Sequence, residues 1–269
     1  MNRALQPAEV KEIYPTGPKG WLCDLASAFI LLTRIPVPLR FLTPLPPDMT
    51  RSLWAFPLVG FVVSFVGAGV FFLAILAQLP SVIAACLGFL AMIFLTGAFH
   101  EDGLADVADG FGGGFGRDRK LDIMRDSRVG TYGSLAVFSA LILRVFAVGS
   151  LNLSFAIIAF LVTGTVSRYG ILCLLRFMKP AREEGTGTAA GVPSRVQMVV
   201  AGLFCLAISF LLLPLNYVFP VLLTGLGALV VVSFISHRQI GGHTGDVLGA
   251  AQQVSEIAML ICILSVWRS

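Results

Sequence analysis

The amino-acid sequence predicts an all-α fold, a polytopic membrane helix bundle with about seven transmembrane helices and a short N-terminal interfacial or partly inserted helix. Apolar residues make up 57% of the 269-residue chain and charged residues only 13%, whereas soluble domains carry about 25% charged residues. Seven apolar segments each approach the roughly 20 residues that a helix needs to cross a bilayer. This composition argues against a water-soluble globular protein.

The predicted elements follow one another along the chain. Residues 1–20 are predicted to form a flexible cytoplasmic tail. Residues 21–269 are predicted to form a single integral membrane catalytic domain. Residues 21–32 are apolar but short and carry Asp24, which favours an interfacial or partly inserted helix. The prolines that follow Arg34 predict an extended connector. The predicted spans are residues 53–78, 81–99, 134–150, 155–175, 196–213, 218–236 and 247–267.

The distribution of positive charge orients these spans. Of the 19 lysines and arginines, 16 fall before the first span or in the regions 100–133, 176–196 and 237–246. With seven alternating spans these regions all emerge on one side, and the turns on the opposite side contain no Lys or Arg. Because short loops rich in Lys and Arg stay on the cytoplasmic side, the polar loops are predicted to face the cytoplasm.

An acidic stripe is the strongest functional signal in the chain. Asp102, Asp106 and Asp109 lie in the stretch His100-Glu-Asp-Gly-Leu-Ala-Asp-Val-Ala-Asp-Gly110, and their spacing places them on one face of a helix. A hard divalent cation offsets their mutual repulsion, and Mg²⁺ is typical where phosphates are the substrate. Glu101 is a fourth, lower-ranked candidate metal ligand. The alternative interpretation is a solvated acidic helix end.

The loop after this stripe combines glycines with basic residues. It continues Phe111-Gly-Gly-Gly-Phe-Gly-Arg-Asp-Arg-Lys120 and then Ile123-Met-Arg-Asp-Ser-Arg-Val-Gly-Thr-Tyr-Gly133. Backbone N–H groups and positively charged side chains in such a loop can cradle phosphates. The candidates are Arg117, Arg119, Lys120, Arg125 and Arg128. The alternative is a cytoplasmic loop whose positive charge serves membrane topology alone.

A second constellation precedes the last predicted span. The stretch Ile240-Gly-Gly-His-Thr-Gly-Asp-Val-Leu-Gly-Ala250 is a glycine-rich turn that leads into a helix, an arrangement that favours bound anions. His243 and Asp246 can supply base or metal chemistry there. The alternative is a capped helix start, with Thr244 or Asp246 as the N-cap.

Several polar residues lie inside predicted spans. Glu256 follows the second constellation within the last span and is a functional candidate, because polar side chains in a membrane face the bundle interior or a cavity. Arg144 and Arg168 either pair with an acid such as Glu256 or hold an anionic substrate. The five cysteines lie in apolar segments without metal-binding spacing, so they are predicted to be buried hydrophobes rather than disulfides or zinc ligands.

Four motifs, taken together, resemble a known family. They are Thr33-Arg-Ile-Pro-Val-Pro38, the acidic stripe, Ile123-Met-Arg-Asp-Ser-Arg-Val-Gly-Thr-Tyr-Gly133 and Gly241-Gly-His-Thr-Gly-Asp246. The chain resembles the cobalamin (5′-phosphate) synthases, also called adenosylcobinamide-GDP ribazoletransferases, from about residue 22 to its end. The resemblance implies a Mg²⁺-dependent enzyme of the bacterial inner membrane. It joins adenosylcobinamide-GDP to α-ribazole or its 5′-phosphate and releases GMP, as the last assembly stage of coenzyme B12.

The resemblance and the motifs together define the expected site. Asp246 and His243 are the candidate catalytic residues, and Mg²⁺ is the expected cofactor, with Asp102, Asp106, Asp109 and Glu101 as its ligands. The expected substrate-binding residues are His100, Arg117, Arg125, Asp126, Arg128, Thr131, Tyr132, Gly242 and Glu256. The expected partners are the two substrates and the lipid bilayer. No nucleic-acid partner is expected, and the oligomeric state does not follow from the sequence.

Two other functions fit parts of the sequence. A cation or metabolite transporter is suggested by Arg144, Arg168 and Glu256 within spans, although the polar clusters lie at one membrane face rather than at its middle. A lipid head-group enzyme similar to the CDP-alcohol phosphotransferases is suggested by the Asp-x-x-Asp-Gly pattern. This chain lacks the Ala-Arg that follows in that pattern.

Overall fold

A computed structural model describes residues 15–43, 46–183 and 185–268 of the protein. Two short 3₁₀ helices, Leu39–Phe41 and Leu53–Ala55, connect α-helices near the N-terminus. The α-helices in the described ranges are α1 Gly17–Leu32, α2 Met49–Ser52, α3 Phe56–Leu76, α4 Ser81–Thr96, α5 Phe99–Gly113, α6 Arg117–Ile123, α7 Thr131–Gly149, α8 Leu153–Phe177, α9 Thr186–Ala189, α10 Arg195–Leu212, α11 Leu215–Ile240 and α12 Gly245–Arg268.

The structure confirms the predicted all-α membrane bundle. Within the described ranges, six helical segments are long and apolar enough to cross a membrane, and the pair α4 and α5 would supply a seventh if it forms one broken span. The first segment is continuous from Met49 to Leu76 because α2, a 3₁₀ turn and α3 follow one another without a break. The other predicted spans agree with the observed helices to within a few residues.

Two helices form the centre of the bundle. The apolar parts of α8 and α12 are mostly buried inside the protein, whereas α10 exposes most of its surface. Phe160 of α8 packs against Phe89 of α4, with ring centroids 4.7 Å apart, and against Phe71 of α3. Tightly packed aromatic rings of this kind stabilise the contact beyond the burial of their surface.

A sharp break separates α4 from α5. The predicted second span continues to residue 99, but α4 ends at Thr96 and the two helices meet at a 90° bend. Gly97 and Ala98 both adopt left-handed backbone conformations, with φ values of 67° and 58°, which end a right-handed helix. The Arg34 side chain occupies the space where a Cβ of residue 97 would lie, so this position requires glycine.

The N-terminal helix starts earlier than predicted. Residues 1–14 lie outside the described residues, but α1 begins at Gly17 instead of residue 21, since Pro18 is tolerated in the first turn of a helix. Asp24 of α1 pairs with Arg51, with 3.0 Å between Oδ1 and Nε. The chain from Thr33 to Pro38 has no regular secondary structure, as predicted, but the predicted connector is interrupted by the 3₁₀ helix Leu39–Phe41. All five cysteines are free thiols.

The polar loops meet at one end of the bundle. Arg117 of α6 donates hydrogen bonds to the carbonyls of Ile240 and Ala181. Backbone hydrogen bonds join His243 to Lys179 and to Ala181. The regions that carry most of the positive charge are therefore neighbours in the fold, as the alternation of spans predicts.

Candidate active site

The acidic residues of α5 lie beside the start of α12. Asp102 is exposed, whereas Asp106 and Asp109 are half-buried. A Cβ at Gly103 would come within 2.8 Å of the Asp246 carbonyl oxygen, so glycine allows the two helices to touch. This contact brings the carboxylate of Asp246 to the acidic face of α5, although the two motifs are far apart in the sequence.

Asp246 is held by the turn that begins α12. The Thr244 hydroxyl accepts a hydrogen bond from the Val247 amide and donates one to Asp246 Oδ2 over 3.1 Å. Thr244 is thus the N-cap, one of the two residues that the sequence offered for this position. Asp106 is influenced electrostatically by Asp246 together with Asp102 and Asp109. The four aspartates therefore form one acidic cluster, the aspartate region.

Arg182 completes this region and was missed by the sequence analysis. Its Nη2 lies 3.9 Å from Asp246 Oδ2 and donates a hydrogen bond to the Leu121 carbonyl. Its Nε is buried without a hydrogen-bond partner in the described residues. Arg125 is close enough to act on Arg182 electrostatically. The stretch Lys179-Pro-Ala-Arg-Glu-Glu-Gly-Thr-Gly187 mixes charges with glycines, a signal that the topology argument used only for its charge.

Asp109 has a role that its spacing did not suggest. Its two carboxylate oxygens accept hydrogen bonds from the backbone amides of Gly130 and Gly133, over 2.7 and 2.9 Å. It thereby satisfies amides at the N-terminus of α7, which otherwise lack partners within the helix. A Cβ at either glycine would collide with the Asp109 carboxylate. This pairing explains two glycines of the motif that ends at Gly133.

The predicted basic residues of the loop differ in exposure and in the groups that they contact. Arg117 serves backbone carbonyls on two neighbouring segments and pairs with Asp118 over 3.3 Å. Asp126 and Arg128 form an exposed ion pair of 2.6 Å, which lowers the pKa of Asp126 to about 2. Arg125 is exposed near Arg182. Among these predicted candidates, Arg125 is the one that acts electrostatically on Arg182.

Of three further predicted substrate-binding residues, two have packing contacts. Thr131 is exposed at the first position of α7. The ring of Tyr132 lies over Gly112, where a Cβ would come within 2.8 Å of it. A Cβ at Gly242 would collide with the Lys179 carbonyl. Tyr132 and Gly242 thus hold α7 and the turn before α12 in place.

His243 lies beneath the loop that carries Arg182. It is 3% exposed, and its backbone forms a parallel bridge with Pro180. Burial lowers the pKa of its imidazole, which therefore stays neutral at physiological pH. Its Nδ1 has no hydrogen-bond partner in the described residues. His243 precedes Asp246 by three residues, and a Cβ at Gly187 would come within 3.2 Å of its Nδ1.

Two predicted site residues point into the bundle instead. Glu101 is buried, and its Oε1 lies 3.2 Å from Arg144 Nη1 and accepts a hydrogen bond from Gln253. Glu256 accepts one from Gln252 over 2.9 Å. A Glu101 carboxylate bound in this way lies outside the group of aspartates, because successive helical residues point about 100° apart.

His100 is also buried, at the back of the same helix. Its ring contacts Phe99 edge-on, and its Nε2 has no hydrogen-bond partner in the described residues. It borders the polar cavity of Arg144 and Arg168 on one side and an apolar pocket on another. His100 and the two glutamates are therefore not part of the aspartate region.

The aspartate region offers the donor type that magnesium prefers. In the described part of the chain, no three His, Cys, Asp or Glu side chains form a ready-made metal site. Mg²⁺ usually keeps several waters and takes only one or two protein carboxylates besides the phosphates of a substrate. Asp102, Asp106 and Asp246 provide oxygen ligands that fit this demand, whereas Asp109 is bound to backbone amides.

Fold and site together define a multi-pass membrane protein with an acidic and basic site where its polar loops meet. The model of the cobalamin-5-phosphate synthase family matches residues 24–264, and the chain belongs to this family. It is 43% identical over 252 residues to the adenosylcobinamide-GDP ribazoletransferase of Azorhizobium caulinodans, covering 90% of this chain and 96% of that protein.

Other relatives carry the same name. The protein of Mesorhizobium japonicum is 40% identical over 91% of this chain and 93% of its own length. That of Xanthobacter autotrophicus is 41% identical over 90% of this chain and 95% of its own length. No solved structure matches the chain. The family predicted from the four motifs is therefore confirmed by comparison over most of the chain.

Proposed function

We propose that this protein is an adenosylcobinamide-GDP ribazoletransferase, which carries out the last assembly stage of coenzyme B12. Membership of the cobalamin-5-phosphate synthase family is the observation that carries the proposal. In the reaction, a hydroxyl of α-ribazole or its 5′-phosphate attacks the phosphorus next to the cobinamide arm. The bond between the two phosphates breaks, GMP leaves, and the hydroxyl loses its proton.

The aspartate region has the groups that this phosphoryl transfer needs. Positioning and charge stabilisation account for nearly all of the catalysis in such reactions. Arg182 faces Asp246, so its guanidinium group can bind a phosphate oxygen while Arg125 adds positive charge nearby. Charge-assisted hydrogen bonds from guanidinium to phosphate are among the strongest available.

Asp246 is the best-placed group to orient the attacking hydroxyl. It is held by Thr244 and lies between the acidic face of α5 and Arg182. His243, which is neutral because burial lowers its pKa, can accept a proton. A proton acceptor must lie within hydrogen-bond reach of the group it deprotonates, and His243 lies three residues before Asp246 in the turn that begins α12.

Magnesium fits this site as a cofactor. When bound, Mg²⁺ would neutralise charge on the diphosphate, and Asp102, Asp106 and Asp246 would hold it. The residues themselves provide the negative region that concentrates a cation, while Arg182 limits repulsion between the carboxylates and the phosphates. Glu101 and Asp109 are left out of this ligand set because each is bound by other groups.

The site lies on the cytoplasmic side of the inner membrane in this proposal. The loops that build it carry most of the positive charge of the chain, and such loops remain in the cytoplasm. This orientation would give the site direct access to soluble substrates and would release GMP into the cytoplasm.

The test uses the full-length protein in lipid nanodiscs. Adenosylcobinamide-GDP, α-ribazole or its 5′-phosphate, and Mg²⁺ are supplied, and cobalamin and GMP are measured. We expect equal amounts of both products, and activity that is lost in EDTA and restored by Mg²⁺. Binding of Mn²⁺, followed by electron paramagnetic resonance without substrate, gives a readout of the metal that does not depend on turnover.

Two variants test the residue assignments. Asp246→Asn is expected to lower kcat by at least about 100-fold, because several kcal/mol of charge stabilisation are lost. Asp118→Asn is the matched control, since Asp118 is an acid of the same polar face with its side chain 91% exposed. Absence of cobalamin with the wild type would overturn the function, and full activity of Asp246→Asn would overturn the site.

A further inference from the structure

A partly open pocket lies between α1, the start of the Met49–Leu76 segment and α10. Its volume is about 560 Å³, which is large enough for a small organic molecule or for part of a larger one. This tryptophan pocket contains none of the residues that we assign to the reaction. It is lined by Trp21 and Asp24 of α1, by Arg51 and Trp54, and by Val196, Gln197 and Val200 of α10.

The tryptophan pocket lies where two membrane spans begin. Arg51 and Trp54 belong to the first two turns of the span Met49–Leu76, and the three residues from α10 belong to the first two turns of the span Arg195–Leu212. Both spans follow regions rich in Lys and Arg, so both begin on the predicted cytoplasmic side. The pocket is therefore at the level of the lipid headgroups on that side.

Helix α1 lies along the same side of the bundle. Asp24, in the middle of α1, meets Arg51 at the start of a span, and the backbone N–H of Arg34, just after α1, donates to the Leu95 carbonyl at the end of α4. Because a short turn joins α3 to α4, these helices are antiparallel, and both contacts are at one end of the bundle. Trp21 of α1 is 64% exposed there, and tryptophan is enriched at membrane interfaces.

The lining combines one accessible cation with apolar surface. Arg51 pairs with Asp24 over 3.0 Å, but the Arg51 side chain is 36% exposed and that of Asp24 only 7%. The pocket therefore presents positive rather than negative charge, and a guanidinium group binds phosphate strongly. Val196 and Val200 are both exposed on α10, with Val200 about one turn deeper in the span. They provide apolar surface on the membrane side of the cation.

The floor of the pocket is fixed before anything binds. The Gln197 side-chain amide donates hydrogen bonds to the carbonyls of Thr50 and Arg51, over 2.7 and 3.1 Å. Its side-chain oxygen accepts one from the Ser194 amide, which completes a capping box at the start of α10. The start of α10 is thus held against the backbone that carries Arg51. A site formed in advance costs less ordering when its ligand binds.

Among the molecules that surround a membrane protein, a phospholipid presents the matching groups together. Its phosphate is anionic, and its acyl chains are apolar and lie deeper in the membrane. A soluble phosphate would use the guanidinium group but leave the exposed valines and tryptophan in water. An acyl chain without a phosphate would leave the guanidinium group unused.

We propose that the tryptophan pocket binds a phospholipid of the cytoplasmic leaflet. Its phosphate contacts Arg51, its glycerol backbone lies between Trp21 and Trp54, and one acyl chain follows Val196 and Val200. The bound lipid would hold α1 against α10. The proposal is independent of the reaction that the protein catalyses.

A substitution in the apolar part of the pocket tests the site. The full-length protein in detergent is titrated with phosphatidylglycerol, and native mass spectrometry counts the bound lipids. Val200→Phe fills the pocket, so we expect its affinity for the tightest-bound lipid to fall at least about tenfold. Val199→Phe is the matched control, because Val199 is 58% exposed on the same helix and does not line the pocket.

A second pair of variants addresses the aromatic wall. Trp21→Ala is expected to weaken the same lipid by about tenfold, and its exposed position makes a folding defect an unsuitable explanation. Leu22→Ala is the control, since Leu22 is 54% exposed beside Trp21 and outside the lining. Thermal unfolding of all four variants should match the wild type.

The role of the phosphate is tested on the ligand, without any substitution. A diacylglycerol with the same acyl chains lacks the phosphate, and we expect the wild type to bind it at least about tenfold more weakly than phosphatidylglycerol. Equal affinity for the two lipids would overturn the contact with Arg51.

Two other results would contradict the site itself. If Val200→Phe and Trp21→Ala bind phosphatidylglycerol as tightly as their controls, no lipid occupies this pocket. If Val200→Phe instead changes the oligomeric state and leaves lipid binding intact, the pocket is an interface between copies of the chain. Neither result bears on cobalamin synthesis, so the proposed function is judged separately.

Discussion

Helix α5 carries acids with opposite surroundings on its two faces. Asp102 is exposed on the face that meets Asp246 and Arg182, whereas Glu101, the preceding residue, is 7% exposed and pairs with Arg144 inside the bundle. The exposed face gathers four aspartates, with Arg182 as the positively charged side chain that faces Asp246. On the buried face, Glu101 lies next to the guanidinium group of Arg144 and the amide group of Gln253. Adjacent acids in one motif thus belong to different systems.

The buried face is a connected polar network. Gln253 Nε2 donates to Glu101 and to Gln252, and Gln252 Nε2 donates to Glu256 and to Ser167. Arg144 Nη2, Arg168 Nε and Glu256 Oε1 have no partner in the described residues, although they line one small cavity. Buried water satisfies such groups in many proteins. The network fixes α5 against α7 and α12, and so sets the position of the exposed aspartates.

The largest expected effect is a difference in stability between a variant on the buried face of α5 and a variant on its exposed face. Glu101→Gln leaves Arg144 as an unpaired buried charge and is expected to lower the free energy of unfolding by about 3–5 kcal/mol. Asp102→Asn, one residue away, should leave stability intact and reduce activity. Thermal unfolding in detergent and cobalamin synthesis measure both quantities. Equal stability of the two variants would show that the burial of Glu101 is not energetically important.

The second prediction concerns the aspartate that the structure assigns to capping. Asp109→Asn presents an NH₂ group to one of the two backbone amides of Gly130 and Gly133, leaving it unsatisfied at a cost of about 1–3 kcal/mol. Hydrogen exchange should become faster at the start of α7. If exchange is unchanged but metal binding is lost, Asp109 belongs with the metal ligands after all.

A third prediction uses pH. Burial lowers the pKa of His243 in the folded protein, so the unfolded chain binds a proton first as the pH falls. Its contribution to stability is complete above the unfolded pKa of about 6.5 and is lost as the pH drops from there toward the folded pKa. We expect the melting temperature of the wild type to fall more steeply with acid than that of His243→Asn. Parallel curves would contradict this.

The smallest effect is expected at the exposed ion pair of the basic loop. Arg128→Gln removes the contact with Asp126, but solvent screens both side chains, so the melting temperature should not change. Steady-state kinetics of Arg128→Gln then test whether Arg128 binds substrate. A raised KM for adenosylcobinamide-GDP would assign Arg128 to phosphate binding, whereas an unchanged KM would limit that role to Arg182 and Arg125.

Much of the fold was predictable because a membrane span depends on the composition of one continuous stretch of the sequence. A run of about 20 apolar residues is sufficient to indicate a span, and the predicted spans agree with the helices. The 90° bend after Thr96 was not predicted, since it depends on left-handed conformations at Gly97 and Ala98 beside Arg34. Arg182 was missed because a single arginine in a loop resembles any other residue of that type.

The sequence alone was sufficient to predict the membrane bundle, the common side of the charged loops, the helical stripe of aspartates and the family. Each depends on local periodicity, composition or an ordered set of motifs. Only the tertiary structure decided that Glu101 faces Arg144, that Asp109 caps α7, and that Asp246 and Arg182 join the acidic face. The physical reason is that a side chain's role depends on the neighbours that packing brings to it, and those neighbours come from distant parts of the chain.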